Sequence, residues 1–249
     1  MLDAFCAGRR SLDDCRQANQ RHPAIVTASE SLSPNVRRLT LAVAGLDLDP
    51  PRPAQWVKLH VPDGRGGFQR GRAYTVRAAA DDHIVLDIAR HAGGVCSDWA
   101  EAARPGARVL LTGPRPGLKR GGRYRHLLLG GDETALPAIA CMLEHLPAGT
   151  AATAYIEVPD AADRQPLALP DNSRLTWLAR RDRPAGHALA AALMGVPLDV
   201  PECGVWIAAE RDAAVALHAH FAARLGEDNV ITSGYWRRPV TASFAPGTN

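Results

Sequence analysis

The hydrophobic pattern of this chain changes its period once, and that change constrains the fold more than any other feature. Between Pro23 and Gly113 the sequence carries six short runs rich in Val, Ile, Leu and Thr, at residues 24–30, 36–43, 55–61, 72–78, 83–89 and 108–113. Clusters of Gly, Pro and Asp at 50–53, 62–67 and 81–82 separate several of them. In the third run Val57, Leu59 and Val61 share one face, and Lys58 and His60 take the other. Strands this short and this closely spaced predict a small barrel or sandwich. A single helix interrupts them at residues 97–103, ended by Pro105–Gly106.

Beyond Gly113 a Gly/Arg/Pro-rich segment, residues 114–125, reads as a linker, and the character then changes. Residues 125–131 form a continuous apolar run, as a strand buried on both faces requires. Leu136, Ile139, Ala140, Leu143 and Leu146 keep one helical face apolar. Strands at 153–158 and 175–180, a helix around 186–193, a strand at 204–209, a helix at 212–225 and a last strand at 229–234 follow. Strands alternating with helices predict a parallel sheet. The expected organisation is an N-terminal extension (1–22), a β-barrel domain (23–118) and an α/β domain with a C-terminal tail (119–249). The second and third are each of the roughly 100–130 residues that bury a workable core.

Composition narrows the function. Of 249 residues, 46% are hydrophobic and 22% charged, the balance of an ordinary globular protein. No apolar run reaches the ~18 residues of a membrane span, and the first ten residues carry no signal-peptide pattern, so a cytoplasmic location is expected. A net charge of +3 does not call for nucleic acid. The five cysteines (Cys6, Cys15, Cys96, Cys141, Cys203) form no C-x-x-C pair, which argues against a disulfide framework, a zinc site or an iron–sulfur cluster. Electron transfer by such a chain requires a bound organic cofactor.

Four segments carry candidate chemistry. In Arg72-Ala73-Tyr74-Thr75-Val76-Arg77, strand alternation puts Arg72, Tyr74 and Val76 on one face and Thr75 and Arg77 on the other. An arginine and an aromatic on one face suit a phosphate and a flat ring, or simply a surface arginine beside a half-buried tyrosine. In the segment from His91 to Trp99, Gly93 and Gly94 turn the chain before a helix that begins near Ser97. Amides at a helix start form an anion pocket, or are capped by Ser97 or Asp98. The segment Gly130-Gly131-Asp132-Glu133-Thr134 lies at the carboxyl end of a buried strand, where open α/β sheets bind ligands, or is again a helix cap. Gly234-Tyr235-Trp236-Arg237-Arg238 suits a closing flap or a docked terminus, and Glu210 ends another strand of the same sheet.

These segments, in this order, resemble the siderophore-interacting protein family of ferric-siderophore reductases, within the ferredoxin reductase-like superfamily of flavoproteins. The resemblance runs from about Val26 to Arg238 through SPNVRRLTL, VKLHVP, RAYTVR, HAGGVCSDWA, LLLGGDETALPAIA, YIEVPDAADRQPL, WLARRDRP and GYWR. It implies a six-stranded antiparallel Greek-key barrel holding FAD, followed by a parallel-sheet domain for NADPH or NADH. Arg72, Tyr74 and Thr75 are then expected at the FAD phosphate and ring, and Gly94 and Ser97, with His91 beside them, in the loop facing the pyrophosphate. Glu210 is expected at the cofactor crevice. Asp132, Glu133 and Thr134 are expected where nicotinamide meets flavin, and Lys58, Arg237 and Arg115 beside an anionic ferric siderophore, a catecholate foremost.

The chain departs from the family pattern at Val95-Cys96, where Pro-Ala is usual, at Ala209 before Glu210, and at Pro239, where glycine is common. The implied activity is passage of electrons from NAD(P)H through FAD to Fe(III) in a siderophore, releasing Fe(II), by a monomer. A ferredoxin-like donor is a further candidate partner. Two alternatives remain: reduction of another acceptor (free flavin, quinone or carrier protein), and non-catalytic siderophore binding. Arg180, Arg181 and Arg183 follow a strand, where they meet a 2′-phosphate or stand in solvent.

Overall fold

A computed structural model of the chain describes residues 18–48, 53–80, 82–91, 93–117, 124–198 and 202–238. Most of the expected N-terminal extension, Cys6, Cys15, most of the Pro50–Pro53 cluster, the centre of the 114–125 linker and Pro239 lie outside the described residues.

Six strands form a closed antiparallel barrel in the order β1-β2-β5-β4-β3-β6. They are β1 (Arg21–Ser33), β2 (Val36–Val43), β3 (Trp56–His60), β4 (Arg72–Ala80), β5 (His83–Ala89) and β6 (Arg108–Arg115), with helix α1 (Val95–Ala102) between the last two. Alternation drives closure. Leu39, Leu41, Leu59, Ile84, Leu86, Ile88 and Leu111 point inward and are almost wholly buried. Each such side chain contributes about 1.5–3 kcal/mol by leaving water. In β4 the register against β5 slips between Val76 and Ala78; before that slip Thr75 and Val76 are both buried on opposite faces, Val76 in the barrel core and Thr75 opposite Trp56 on the outer face.

Beyond the barrel, five parallel strands run in the order β11-β10-β7-β8-β9. These are β7 (His126–Gly131), β8 (Ala151–Val158), β9 (Arg174–Ala179), β10 (Cys203–Glu210) and β11 (Val230–Trp236). Helix α2 (Leu136–Glu144) covers one face, packing with Leu129, Ile156 and Trp206. Helices α3 (His187–Met194) and α4 (Arg211–Leu225) cover the other, where Leu189, Leu217 and Phe221 meet Leu128 and Ile207. Sandwiched so, β10 is buried at all eight positions. Helix α2 is shorter than its apolar periodicity predicts; it stops at Glu144, before Leu146. Only a short 3-10 turn (Ala161–Asp163) and extended chain join β8 to β9.

Polar contacts tie barrel to sheet. The Asp163 carboxylate, fully buried, accepts from the Ser33 hydroxyl (2.8 Å), the Asn35 amide (2.9 Å) and the Asn35 side chain (2.9 Å) at the β1–β2 turn. On α2, Glu144 takes both terminal nitrogens of Arg77, and the Cys141 thiol reaches the Arg77 carbonyl at 3.2 Å.

Candidate functional site

In the parallel sheet the chain builds outward from β7 through β8 to β9, then returns to place β10 on the other side of β7. The carboxyl ends of β7 and β10 therefore flank the topological switch point, the place where open α/β sheets leave a crevice for ligand. Asp132 follows β7 and Glu210 ends β10, so the sequence-predicted pair meets here. Gly131 makes the approach possible: a Cβ there would lie 2.6 Å from that of Ala135 and 3.0 Å from the Ala208 carbonyl oxygen.

The carboxylates at this point are engaged with the protein itself. Asp132 is fully buried; its Oδ1 accepts from the Thr134 amide (2.9 Å) and hydroxyl, and its Oδ2 from the Glu210 amide (2.9 Å) and Trp236 Nε1 (2.8 Å). Glu210, also fully buried, caps α4 by accepting from the Asp212 amide (2.9 Å) and receives the Arg238 amide (3.3 Å). Both thus pin the C-terminal tail against the crevice. Glu133 is paired with Arg180, which also grips Glu157 at 2.7 Å. Arg180 is therefore neither a solvated arginine nor a free phosphate ligand; it sits between two buried carboxylates. Burial pushes the Asp132 and Glu133 carboxyls above their ordinary range, Asp132 against the pull of its donors. Glu133, which also feels the Asp132 charge, is lifted to about 7.

On the barrel side, β4 and the start of α1 come together. Arg72 is exposed, and its guanidinium makes no hydrogen bond or ion pair with the described residues. Tyr74 is half-buried against the barrel core that includes Cys96, in the first turn of α1; the Cys96 thiol points to the Leu59 carbonyl at 3.7 Å. Burial raises the pKa of that phenol and of the thiol, keeping both protonated. The thiol is thus held in its unreactive form. No side chain caps α1: Gly94 stands at the N-cap with no side-chain bond, and the Ser97 hydroxyl instead accepts from the His91 amide at 3.0 Å. The capping role expected of Ser97 or Asp98 is absent, which leaves the first-turn amides directed at the loop mouth. Gly94 is buried, and a Cβ on it would lie 2.2 Å from the His91 ring.

The tail closes the arrangement. Tyr235 stands edge-on to Trp206, with ring centroids 6.3 Å apart. Arg237 is exposed beside it. Lys58 lies on the outer face of β3 and is half-buried, and Arg115 at the end of β6 stacks over Trp56 at 4.8 Å. Glu157 and Asp163 escaped the sequence reading, as did the partners of Arg180 and Trp236. Glu157 and Asp163 carried a local signal, Glu157 as a charge near the end of an apolar strand and Asp163 as the last residue of an Asp-x-x-Asp capping box.

A closed barrel with an uncapped helix start, set against a parallel sheet whose switch-point crevice the tail overlies, is the ferredoxin reductase-like fold. The chain belongs to the siderophore-interacting protein family. Residues 124–239 match the model described as siderophore-interacting protein, and residues 68–118 match that of the siderophore-interacting FAD-binding domain. It is 28% identical over 179 residues to ferric vibriobactin reductase ViuB of Vibrio cholerae, covering 67% of this chain and 64% of that protein. With the NADPH-dependent ferric-chelate reductase of Escherichia coli it shares 31% identity over 157 residues, 61% of this chain and 60% of the relative. The matches thus span a little under two thirds of these relatives. Among solved structures, a siderophore utilization protein from T. fusca superposes with a TM-score of 0.80 at 30% identity, covering 89% of this chain and 94% of that one.

Proposed function

We propose that this protein is an FAD-dependent ferric-siderophore reductase that draws electrons from NAD(P)H and releases iron as Fe(II). The observation that carries the reading is the uncapped start of α1 beside the unpaired Arg72 and half-buried Tyr74 of β4. This is a cationic, amide-lined cradle next to an aromatic edge, which fits a dinucleotide with a flat ring. The relatives named as ferric reductases supply the acceptor class.

FAD, when bound, converts a two-electron donor into the single-electron steps that iron requires. The chain's own residues have narrower tasks. Arg72 and the amides of residues 95–97 neutralise phosphate charge, with Gly94, Ser97 and His91 shaping the loop. Tyr74 and Thr75 orient the ring. Asp132, Thr134 and Glu210 hold the tail, and Glu133 with them shapes the crevice where the nicotinamide docks. Lys58, Arg237 and Arg115 attract an anionic chelate, raising its encounter rate by about 10–10³ in a salt-sensitive way. Fe(II), being less charged, binds hard oxygen donors more weakly and leaves. The division at residues 118 and 119 separates the proposed FAD-holding and nicotinamide-holding units.

The deciding experiment is steady-state reduction of a catecholate and a hydroxamate iron complex with NADH and with NADPH, trapping Fe(II), with free flavin and a quinone as rival acceptors. Fe(II) formation with at least one donor is expected. Turnover confined to the rival acceptors would refute the proposal.

A further inference from the structure

On β3 the residues Trp56, Lys58 and His60 alternate outward from the barrel core. In the register with β4, Thr75 lies opposite Trp56 and Ala73 opposite Lys58. Side chains directly opposite share a face, so Thr75, Lys58 and His60 stand in successive rows of one surface. At roughly 3.3 Å per residue, Lys58 is about 7 Å and His60 about 13 Å along the strand from the Thr75 row. At the His60 end this surface opens into a cavity of about 500 Å³, walled by Arg21, His60, Phe68, Leu110 and Thr112. Pockets of such size hold a small molecule or one arm of a larger one.

The cavity is rigid and cationic. His60 is locked at both nitrogens, Nδ1 donating to the Gln69 carbonyl (3.1 Å) and Nε2 accepting from the Thr112 hydroxyl (3.2 Å). Burial, with the charges of Lys58, Arg21 and Arg115, holds its pKa below the ordinary value against the hydrogen bond to the Gln69 carbonyl, which raises it. Asp63, in the loop that rims the cavity, is folded onto its own turn by the Arg65 (2.8 Å) and Gly67 (2.9 Å) amides. Arg21 is exposed, and its guanidinium finds no partner among the described residues. Phe68 is 41% exposed at the rim, where it bridges to Pro62. A bare cation and an aromatic ring at the rim, beside Leu110, are complementary to an aromatic group carrying negative charge.

We propose that this cavity is an arm-binding subsite for an anionic ferric chelate with aromatic arms: Arg21 and Phe68 grip one arm while the iron-bearing core rests near Lys58. The position of the core rests on the reductase reading; the subsite itself rests on the cavity. It gives the protein a preference that charge attraction alone lacks, because an uncharged chelate without rings has nothing to offer Arg21 or Phe68.

Gallium(III) complexes, which bind as the ferric ones do but accept no electron, test the subsite by calorimetric titration of the FAD-loaded protein. The probes are a tripodal tris-catecholamide complex and an uncharged tris-hydroxamate complex. Arg21→Ala with Phe68→Ala should weaken the catecholamide complex about tenfold and the hydroxamate complex less than about twofold. Arg21→Glu should weaken the first further, by a factor that shrinks with added salt. Catecholamide affinity equal in all three proteins, or an equal loss for both probes, would overturn the subsite. Normal reduction of ferric chelates with such equal affinities leaves the reductase reading standing. Selective weakening of the catecholamide complex in the variants, together with a wild type that reduces no ferric chelate, sinks the reductase reading and leaves the subsite.

Discussion

Asp163 offers the sharpest test of how the two halves are held. Replacing it with alanine removes a buried carboxylate that accepts four hydrogen bonds, three from the barrel turn (Ser33 and Asn35) and one from the Asp160 amide at 3.3 Å. Hydrogen bonds to a charged group are each worth about 1.5–3 kcal/mol. Asn35 is only half-buried, so water recovers much of what its two donors lose; Ser33 is 8% exposed and is not so rescued. The expected net cost is about 2–4 kcal/mol. For a chain of this size that lowers Tm by roughly 5–15 °C. Asp163→Asn should fall between, since its amide oxygen still accepts from Ser33 while its nitrogen faces other donors. Thermal unfolding gives the magnitude, and hydrogen exchange of the β1–β2 turn gives the location. If the halves also lose alignment, stopped-flow hydride transfer from NAD(P)H should slow while FAD affinity, set within the barrel, holds. A fall in Tm under about 2 °C with unchanged exchange at the turn would refute the reasoning.

Arg72→Ala should weaken FAD binding by about 10–100-fold, as expected for loss of a charge-assisted phosphate contact, measured by quenching of flavin fluorescence. Lys58→Ala should raise KM for an anionic chelate more than it slows flavin reduction. That difference should fade as salt rises; a difference insensitive to ionic strength would dispose of the electrostatic role. Because the folded state raises the Glu133 pKa from 4.5 to about 7, its protonated form is favoured in the folded protein. That contribution to stability is present below pH 4.5 and is lost as pH rises through about 7. Glu133→Gln should flatten this slope in chemical denaturation; an unchanged slope would assign it to other groups.

Much of the fold was legible locally. Alternation in runs such as residues 83–89 and the unbroken apolar stretch before Asp132 distinguish barrel strands from sandwiched ones, because burial on one face or two writes different periods. Loop chemistry at Gly94 and Asp132 was visible too, though its purpose was not: capping and ligand binding require the same residues. At α1 the structure separates them, since Ser97 turns to the His91 amide and leaves the helix start bare.

The sequence by itself determined the elements, their order and the types of residue at each strand end, since these follow from short-range periodicity and turn chemistry. Only the tertiary structure decided the partners. Trp236 meets Asp132 across 104 residues and Asp163 meets Ser33 across 130. Arg180 joins Glu133 to Glu157 only because β9, β8 and β7 lie side by side. Strand order is set by the global packing of apolar faces, and a buried charge takes its partner from whatever that packing brings within reach.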